Sequence, residues 1–291
     1  MGGMRNCTGT YARPEGRSRP ERGDTVALPA LRKEGGLIRT PDIRFGIVPA
    51  AAVAAICAAC AAVPVGTPLQ STASAEAPVV AVGDNWTYRV QDAYTGIARP
   101  TERFRVTEAG NGRIRVAVSR EGVSADETRT FDSQWNWLTH PATHLQAFNY
   151  SPAYPAYSFP LAPGKTWRER LAATDPKDGQ RFPVWVHGTV LGWERVKVPA
   201  GEFDALKIKR TVTLDYLETG WRGSSDITEY EWYAPAVKQS VRRDFTAIYF
   251  TFVYGRAGAS GPLHLASLNN SGMGYVPDDW LIWELVSHSV R

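Results

Sequence analysis

The segment "VKVPAGEFDALKIKR" (residues 196–210) decides the fold class, because two runs of alternating apolar residues meet at a Pro-Ala-Gly turn. Val196 and Val198 share a face before the turn, and Leu206 and Ile208 resume an apolar face after it. A proline ends strand pairing, and a glycine accepts the positive φ of a tight bend. The segment therefore predicts a β-hairpin. It lacks the helix start and the glycine density of a phosphate-binding loop.

The same period of two recurs along the chain. Apolar residues occupy alternate positions in seven further segments, at Trp86, Tyr88 and Val90; Phe104 and Val106; Ile114, Val116 and Val118; Phe131, Trp135 and Trp137; Phe182, Val184 and Val186; Tyr230 and Trp232; and Leu281, Trp283 and Leu285. No stretch of a dozen residues beyond the leader has a helical period. The pattern predicts an all-β protein, a curved antiparallel sheet or half-barrel preceded by a signal or lipoprotein leader and a flexible linker.

The net charge of +4 belongs to the N-terminal end. Nine of the 33 Lys/Arg residues and five of the 29 Asp/Glu residues lie within residues 1–46, so the rest of the chain holds 24 of each sign. A neutral domain does not offer the basic surface that gives nucleic-acid binders most of their affinity. The charge distribution therefore predicts no nucleic-acid partner.

An apolar run, "FGIVPAAAVAAICAACAAV" (residues 45–63), follows two arginines and has about the length of a signal-peptide core, shorter than a bilayer-spanning helix. All three cysteines lie within the first sixty residues, so the exported part relies on its core and not on disulfides. The predicted organisation is a disordered or mis-annotated extension at 1–44, a signal-peptide hydrophobic region at 45–60, a flexible tether at 61–78, and a single antiparallel β domain at 79–291, with two similar halves at 79–150 and 159–291 as the alternative.

Two cleavage sites compete. "CAAC" (residues 57–60) resembles the lipobox of bacterial lipoproteins, with Cys57 where an aliphatic residue is usual, and this resemblance implies lipid attachment at Cys60. The protein would then be anchored in a membrane of the bacterial cell envelope and face the periplasm. The alternative is an A-x-A site at "ASA" (residues 73–75), which predicts a soluble periplasmic or secreted protein after cleavage near Ala75.

Four segments resemble a set of uncharacterised bacterial envelope lipoproteins related to the TapB-like group and neighbouring domains of unknown function. They are "FPLAPGKTW" (159–167), "VKVPAGEFDALKI" (196–208), "YEWYAPAVKQSVRRDF" (230–245) and "WELVSH" (283–288), and in the first half of the exported domain only "VGDNWTYRV" (82–90) matches. Many relatives carry glycines where this chain has "YAPAVKQSV" (233–241). The resemblance implies a curved sheet or half-barrel and no known reaction, cofactor or catalytic residue.

Motifs for catalysis or metal binding are absent from the sequence. There is no Gly-x-Ser-x-Gly nucleophile motif. "HPATH" (140–144) places two histidines four apart, but a proline between them argues for a loop, where this spacing has no metal-binding geometry. We therefore predict no catalytic, cofactor-binding or metal-ligating residue.

Three residues are candidate ligand contacts. Arg210 falls on the apolar side of its strand, where it must pair with a carboxylate, reach water at the sheet rim or meet an anionic ligand, and the first two are favoured. Trp185 and Trp193 fall on faces opposite the main apolar stripe and would form an apolar groove if they line an open concave side.

These observations favour a non-enzymatic cell-envelope lipoprotein acting as a binding or assembly module, with a hydrophobic ligand or an envelope protein as partner. The first alternative is a periplasmic carrier that holds a hydrophobic ligand in the concave face of a half-barrel. The second is a hydrolase whose site is built from loops and is not visible in the sequence.

Overall fold

A computed structural model of the chain describes residues 65–142, 147–215, 223–252 and 273–291. Within them the chain forms thirteen strands and one short 3-10 helix at Pro235–Val237. The strands are β1 (Gly66–Leu69), β2 (Asn85–Asp92), β3 (Ala98–Gly110), β4 (Arg113–Arg120), β5 (Glu127–Asp132), β6 (Trp137–Pro141), β7 (Ala147–Tyr154), β8 (Thr166–Thr174), β9 (Arg181–Val198), β10 (Gly201–Leu214), β11 (Ser225–Ala234), β12 (Gln239–Phe252) and β13 (Met273–Ser289).

All pairings between strands are antiparallel, and the sheet closes on itself. The order of neighbours runs from β9 through β13, continues with β2 and ends at β8. β8 in turn pairs with β9 from Thr166↔Thr189 to Thr174↔Arg181, so twelve strands form a barrel. The predicted all-β fold with a curved antiparallel sheet is confirmed, and the curvature continues to full closure. No helix among the described residues has the length and apolar character needed to cross a lipid bilayer.

The opening segment forms the predicted hairpin between β9 and β10. Gly201 has a φ of 135° and pairs with Val198 across the bend. Val196, Leu206 and Ile208 are buried in the core. The inward side chains of this hairpin and of β2, β4 and β8 form one apolar cluster. In each strand, alternate residues point inward because successive residues of a strand point to opposite faces of the sheet.

The described part of the segment at 61–78 pairs with other parts of the fold. Gly66–Leu69 forms β1, which pairs with the second half of β9, beside the stretch of the same edge that β8 occupies. Ala75 is buried and exchanges two backbone hydrogen bonds of 2.8 Å with Leu161. The expectation of a flexible tether is therefore wrong for residues 66–75, because β9 is long enough to leave an edge that this segment covers.

Candidate functional site

A cluster of charged side chains crosses the barrel interior between β10, β11 and β12. Arg210 is 1 % exposed, and its Nε donates to Glu229 at 2.8 Å while its Nη2 donates to Glu231 at 2.5 Å. Arg243 donates to the other oxygen of Glu229. Arg210 therefore has the carboxylate partners that the sequence analysis favoured, and the two arginines balance the two glutamates.

The segment between β7 and β8 completes this cluster from inside the barrel. Ala156 accepts a 2.8 Å hydrogen bond from Nη1 of Arg210, and the Tyr157 hydroxyl donates to Glu231 at 2.5 Å. Both residues are buried. Since buried charges are stable only when their remaining hydrogen-bonding capacity is met, this segment contributes to the ionised state of the cluster.

The electrostatics of the cluster keep Glu229 charged. Burial opposes ionisation of Glu229, but the positive charges of Arg243 and Arg210 outweigh it and lower the pKa of this carboxyl to about 2. Burial also opposes the charge on Arg210, and the two glutamates raise the pKa of its guanidinium well above the usual value. Glu229 and Arg210 are therefore both ionised at neutral pH.

The sequence pattern assigned the wrong face of β11 to the interior. Tyr230 and Trp232 were expected to point inward, but Glu229 and Glu231 do so. Trp232 is buried on the outer face, where its Nε1 donates to Glu194 at 2.7 Å and the Lys207 amine lies 5.1 Å from its ring. The reason is nonlocal: Arg210 is the cross-strand partner of Glu229, and its charge makes the inward face polar here.

A stack of rings stands beside the charge cluster. Trp137 lies between His140 and Tyr154, with ring centroids 3.8 Å and 4.1 Å away. Nδ1 of His140 donates to the carbonyl of Pro141 at 2.7 Å, which leaves Nε2 to accept from Nη1 of Arg129 at 3.4 Å. Burial lowers the pKa of His140 well below its usual value, and the charges of nearby arginines lower it further, so this imidazole is neutral.

Two adjacent cavities lie beside the charge cluster and the ring stack. An inner chamber of about 80 Å³ reaches Arg210, and a partly enclosed outer cavity of about 520 Å³ reaches Val90, Pro100 and Arg120. The outer cavity therefore lies at the barrel end where β2 turns into β3 and β4 into β5. The two cavities share the side chains of Glu102, Arg129, His140, Arg243 and Trp283.

A third void is much smaller. It lies beside Tyr150, Val212 and Ile227 and has only about 10 Å³, too small for any ligand. A more open cleft of about 570 Å³ is lined by Trp185, Val212 and Ile227, outside the cluster around Arg210.

The outer cavity has a mixed lining. Arg120 pairs with Glu102 at 2.8 Å and with Glu127 at 2.9 Å, and Arg129 pairs with Glu127 at 2.8 Å. The indole of Trp283 donates to Glu102 at 3.2 Å. Charged residues of the lining are Arg99, Arg120, Arg129, Arg243, Glu102, Glu127 and Asp279; the apolar ones include Val90, Phe245, Leu281 and Trp283.

Arg243 stands where the two cavities meet. Its guanidinium carbon lies 4.9 Å from the ring centroid of Trp283, 5.4 Å from that of Phe245 and 5.8 Å from that of Trp137. Its buried Nε has no hydrogen-bond partner among the described residues. A buried donor without an acceptor costs about 1–3 kcal/mol, and more when the group is charged.

The structure separates the three candidate ligand contacts. Arg210 lines the inner chamber. Trp185 is 38 % exposed on the outer face with Arg170 over its ring, and Trp193 donates to the carbonyl of Ala73 in the N-terminal segment. Neither tryptophan lines the chamber beside Arg210. Trp185 lies between the inward residues Val184 and Val186, and Trp193, which follows a bulge in β9, packs against the N-terminal segment.

Other sequence predictions lie partly outside the described residues. Cys60, the expected lipid-attachment site, lies there, and so does His144 of the "HPATH" segment. In the described ranges, no three His, Cys, Asp or Glu side chains form a group able to hold a metal ion. The hydrogen bonds of His140 go to an arginine and to a backbone carbonyl, neither of which forms a nucleophile–base pair with it.

Sequence pattern alone did not identify Glu229, Glu231, Arg243, Arg129 or His140 as site residues. A charged residue at alternate positions of a strand is the signal available, and "ITEYEWY" and "SVRRDF" both contain it. That signal is equally typical of a solvated outer face, so it becomes informative only once the facing strands are known.

Comparisons with known proteins give limited similarity. No protein-family model matches the chain, and no curated protein matches it in sequence. Its structure is similar to that of a predicted lipoprotein from Parabacteroides distasonis, with 14 % identity and a TM-score of 0.47, and to that of a predicted exported protein with a YmcC-like fold from Bacteroides fragilis, with 16 % identity and a TM-score of 0.41. Each match covers 75 % of this chain and 100 % of the other. Likenesses at these values carry no argument about function.

Proposed function

We propose that this protein is a non-enzymatic cell-envelope lipoprotein whose barrel interior binds a small amphipathic molecule. The observation that carries the proposal is the partly enclosed cavity of about 520 Å³ at one end of the barrel. Binding sites for small molecules usually have about 300–1,000 Å³ and combine apolar walls with a few placed polar groups. This cavity has both properties.

The lining favours an amphipathic ligand over a wholly hydrophobic one. A long acyl chain in the cavity would take Arg129, Glu102 and Arg243 out of contact with water without offering them hydrogen bonds, which is unfavourable. A ligand with both an apolar body and a polar group would cover Trp283 and Leu281 and still meet the charged groups.

Native mass spectrometry of the full-length protein, purified from envelopes of its producing bacterium in mild detergent, tests the binding role. We expect an adduct of a few hundred daltons that is lost on denaturation. The variant Ala142→Trp, which places an indole in the cavity lining, is expected to remove the adduct. The control Val79→Trp, at an exposed position outside the lining, should retain it. A wild-type protein without adduct that also fails to take up small amphipathic probes would refute the binding role.

The docked N-terminal segment supports the lipid anchor. A cut near Ala75 would remove β1, leave its edge of β9 unpaired and break the two hydrogen bonds between Ala75 and Leu161. A cut before Cys60 keeps all of these contacts and leaves a short connection between the lipid and the barrel. We therefore propose that Cys60 is acylated.

Incorporation of radiolabelled palmitate in a bacterial host tests this anchor. The wild-type protein is expected to be labelled and Cys60→Ala to be unlabelled, because the thiol is the acylation site. Cys57→Ala is the matched control and should keep the label. Persistent labelling of Cys60→Ala would exclude an anchor at this cysteine. A mature protein whose measured mass corresponds to a chain beginning at Glu76 would exclude it as well.

A further inference from the structure

Two arginines, one glutamate and one histidine are shared by the two cavities. Arg129 and Arg243 line both cavities together with His140 and Glu102. Burial lowers the pKa of His140 most, and the charges of Arg129, Arg243 and Arg210 lower it further, so these guanidinium groups act on the imidazole. An anion placed beside His140 would be attracted by the same three groups.

Donors remain available at this point. Nε of Arg243 is buried and has no acceptor among the described residues. Arg129 directs its N–H groups at Glu127 and His140 through three contacts, and a guanidinium has five such donors. Both guanidinium groups line the inner and the outer cavity, and an anionic group that accepts from both would form charge-assisted hydrogen bonds, which are stronger than neutral ones.

Flat apolar surface adjoins the same donors. The rings of Trp137 and Trp283 flank Arg243, and Phe245 lies on its strand two residues further along. Aromatic walls of this kind favour a rigid ring system, which buries a large area at small entropic cost.

We propose that the ligand carries one anionic group, held by Arg129 and Arg243 beside His140, and an aromatic or ring-shaped apolar body that lies against Trp283 in the outer cavity. This inference rests on the proposed binding function and specifies its ligand class. A carboxylate, a sulfonate and a phosphate share the required chemistry.

A matched pair of fluorescent probes tests the inference with the full-length protein. 8-Anilinonaphthalene-1-sulfonate and N-phenyl-1-naphthylamine have the same aromatic body, and only the first carries an anion. We expect the sulfonate to bind at least about tenfold more tightly than the neutral amine, because charge-assisted hydrogen bonds in a buried site are strong. In Arg243→Met and in Arg129→Met, the difference in affinity between the sulfonate and the amine should be smaller than in the wild type. The affinity for the amine itself should stay within about twofold of its wild-type value.

Two control variants distinguish binding at this site from binding elsewhere on the surface. The possible outcomes also distinguish the inference of an anionic ligand from the proposed binding function on which it rests. Arg195→Met, at an exposed ion pair on the outer face, should leave both affinities unchanged, and Ala142→Trp should weaken both. Equal affinity of wild-type protein for the two probes would overturn the anion inference and leave the binding function standing. Failure of both probes to bind would overturn the two together. The wild-type comparison stands even if an arginine variant does not fold.

Discussion

Replacing Arg210 with methionine is expected to destabilise the barrel by about 3–5 kcal/mol, the usual cost of removing one partner from a buried ion pair. Glu231 would lose its 2.5 Å contact and Glu229 its 2.8 Å contact, and both carboxylates would stay buried. Only Arg243 would still donate to Glu229. Methionine keeps an unbranched, flexible stem that can fill part of the space, so the loss reports mainly on charge and hydrogen bonding.

Urea unfolding followed by tryptophan fluorescence measures this change. Arg195→Met is the matched control, since Arg195 pairs with Asp204 on the exposed face and its loss should hardly change the urea midpoint. The double variant Arg210→Met, Glu231→Gln should be more stable than Arg210→Met alone, because it removes the excess negative charge and keeps Arg243 paired with Glu229. A cost for Arg210→Met no greater than that for Arg195→Met would mean that the cluster contributes no stability.

Gly188→Ala is expected to cost about 2–3 kcal/mol, at the upper end of the range for overpacked sites. Gly188 lies opposite Trp167 at the seam where β8 and β9 close the barrel. A Cβ at this position would lie 2.1 Å and 2.2 Å from two atoms of the indole. The ring would have to leave its place and give up the 2.9 Å hydrogen bond from its Nε1 to the carbonyl of Pro155.

The control for this substitution is Gly110→Ala in β3, where a Cβ meets no atom within 4 Å. It should change the free energy of unfolding by less than about 0.5 kcal/mol. Trp167→Ala in the Gly188→Ala background should cost less than Trp167→Ala in the wild type, since removing the indole there also relieves the clash; a double-mutant cycle measures the difference. Equal losses of unfolding free energy in Gly188→Ala and Gly110→Ala would show that the indole of Trp167 moves aside at no measurable cost.

Individual residues show which parts of the fold the sequence pattern predicts and which it does not. Alternation placed Val196, Ile208 and Val184 in the core, and each is buried. It also singled out Arg210 as a charge on an apolar face, which is the residue around which the interior cluster is built. The same rule failed for Trp232, because an aromatic residue on the outer face is buried when long charged side chains from neighbouring strands cover it.

By itself, the sequence determined that this is an antiparallel β protein with a bend at residues 199–201, because strand periodicity and turn chemistry act between residues close in the chain. Only the tertiary structure decided that the sheet closes between β8 and β9, that Tyr157 enters the interior, and that Arg129, His140 and Arg243 meet at one cavity. These contacts join residues up to 114 positions apart, from Arg129 to Arg243. Strand order and sheet curvature set such distances, and neither is encoded in the pattern of a single strand.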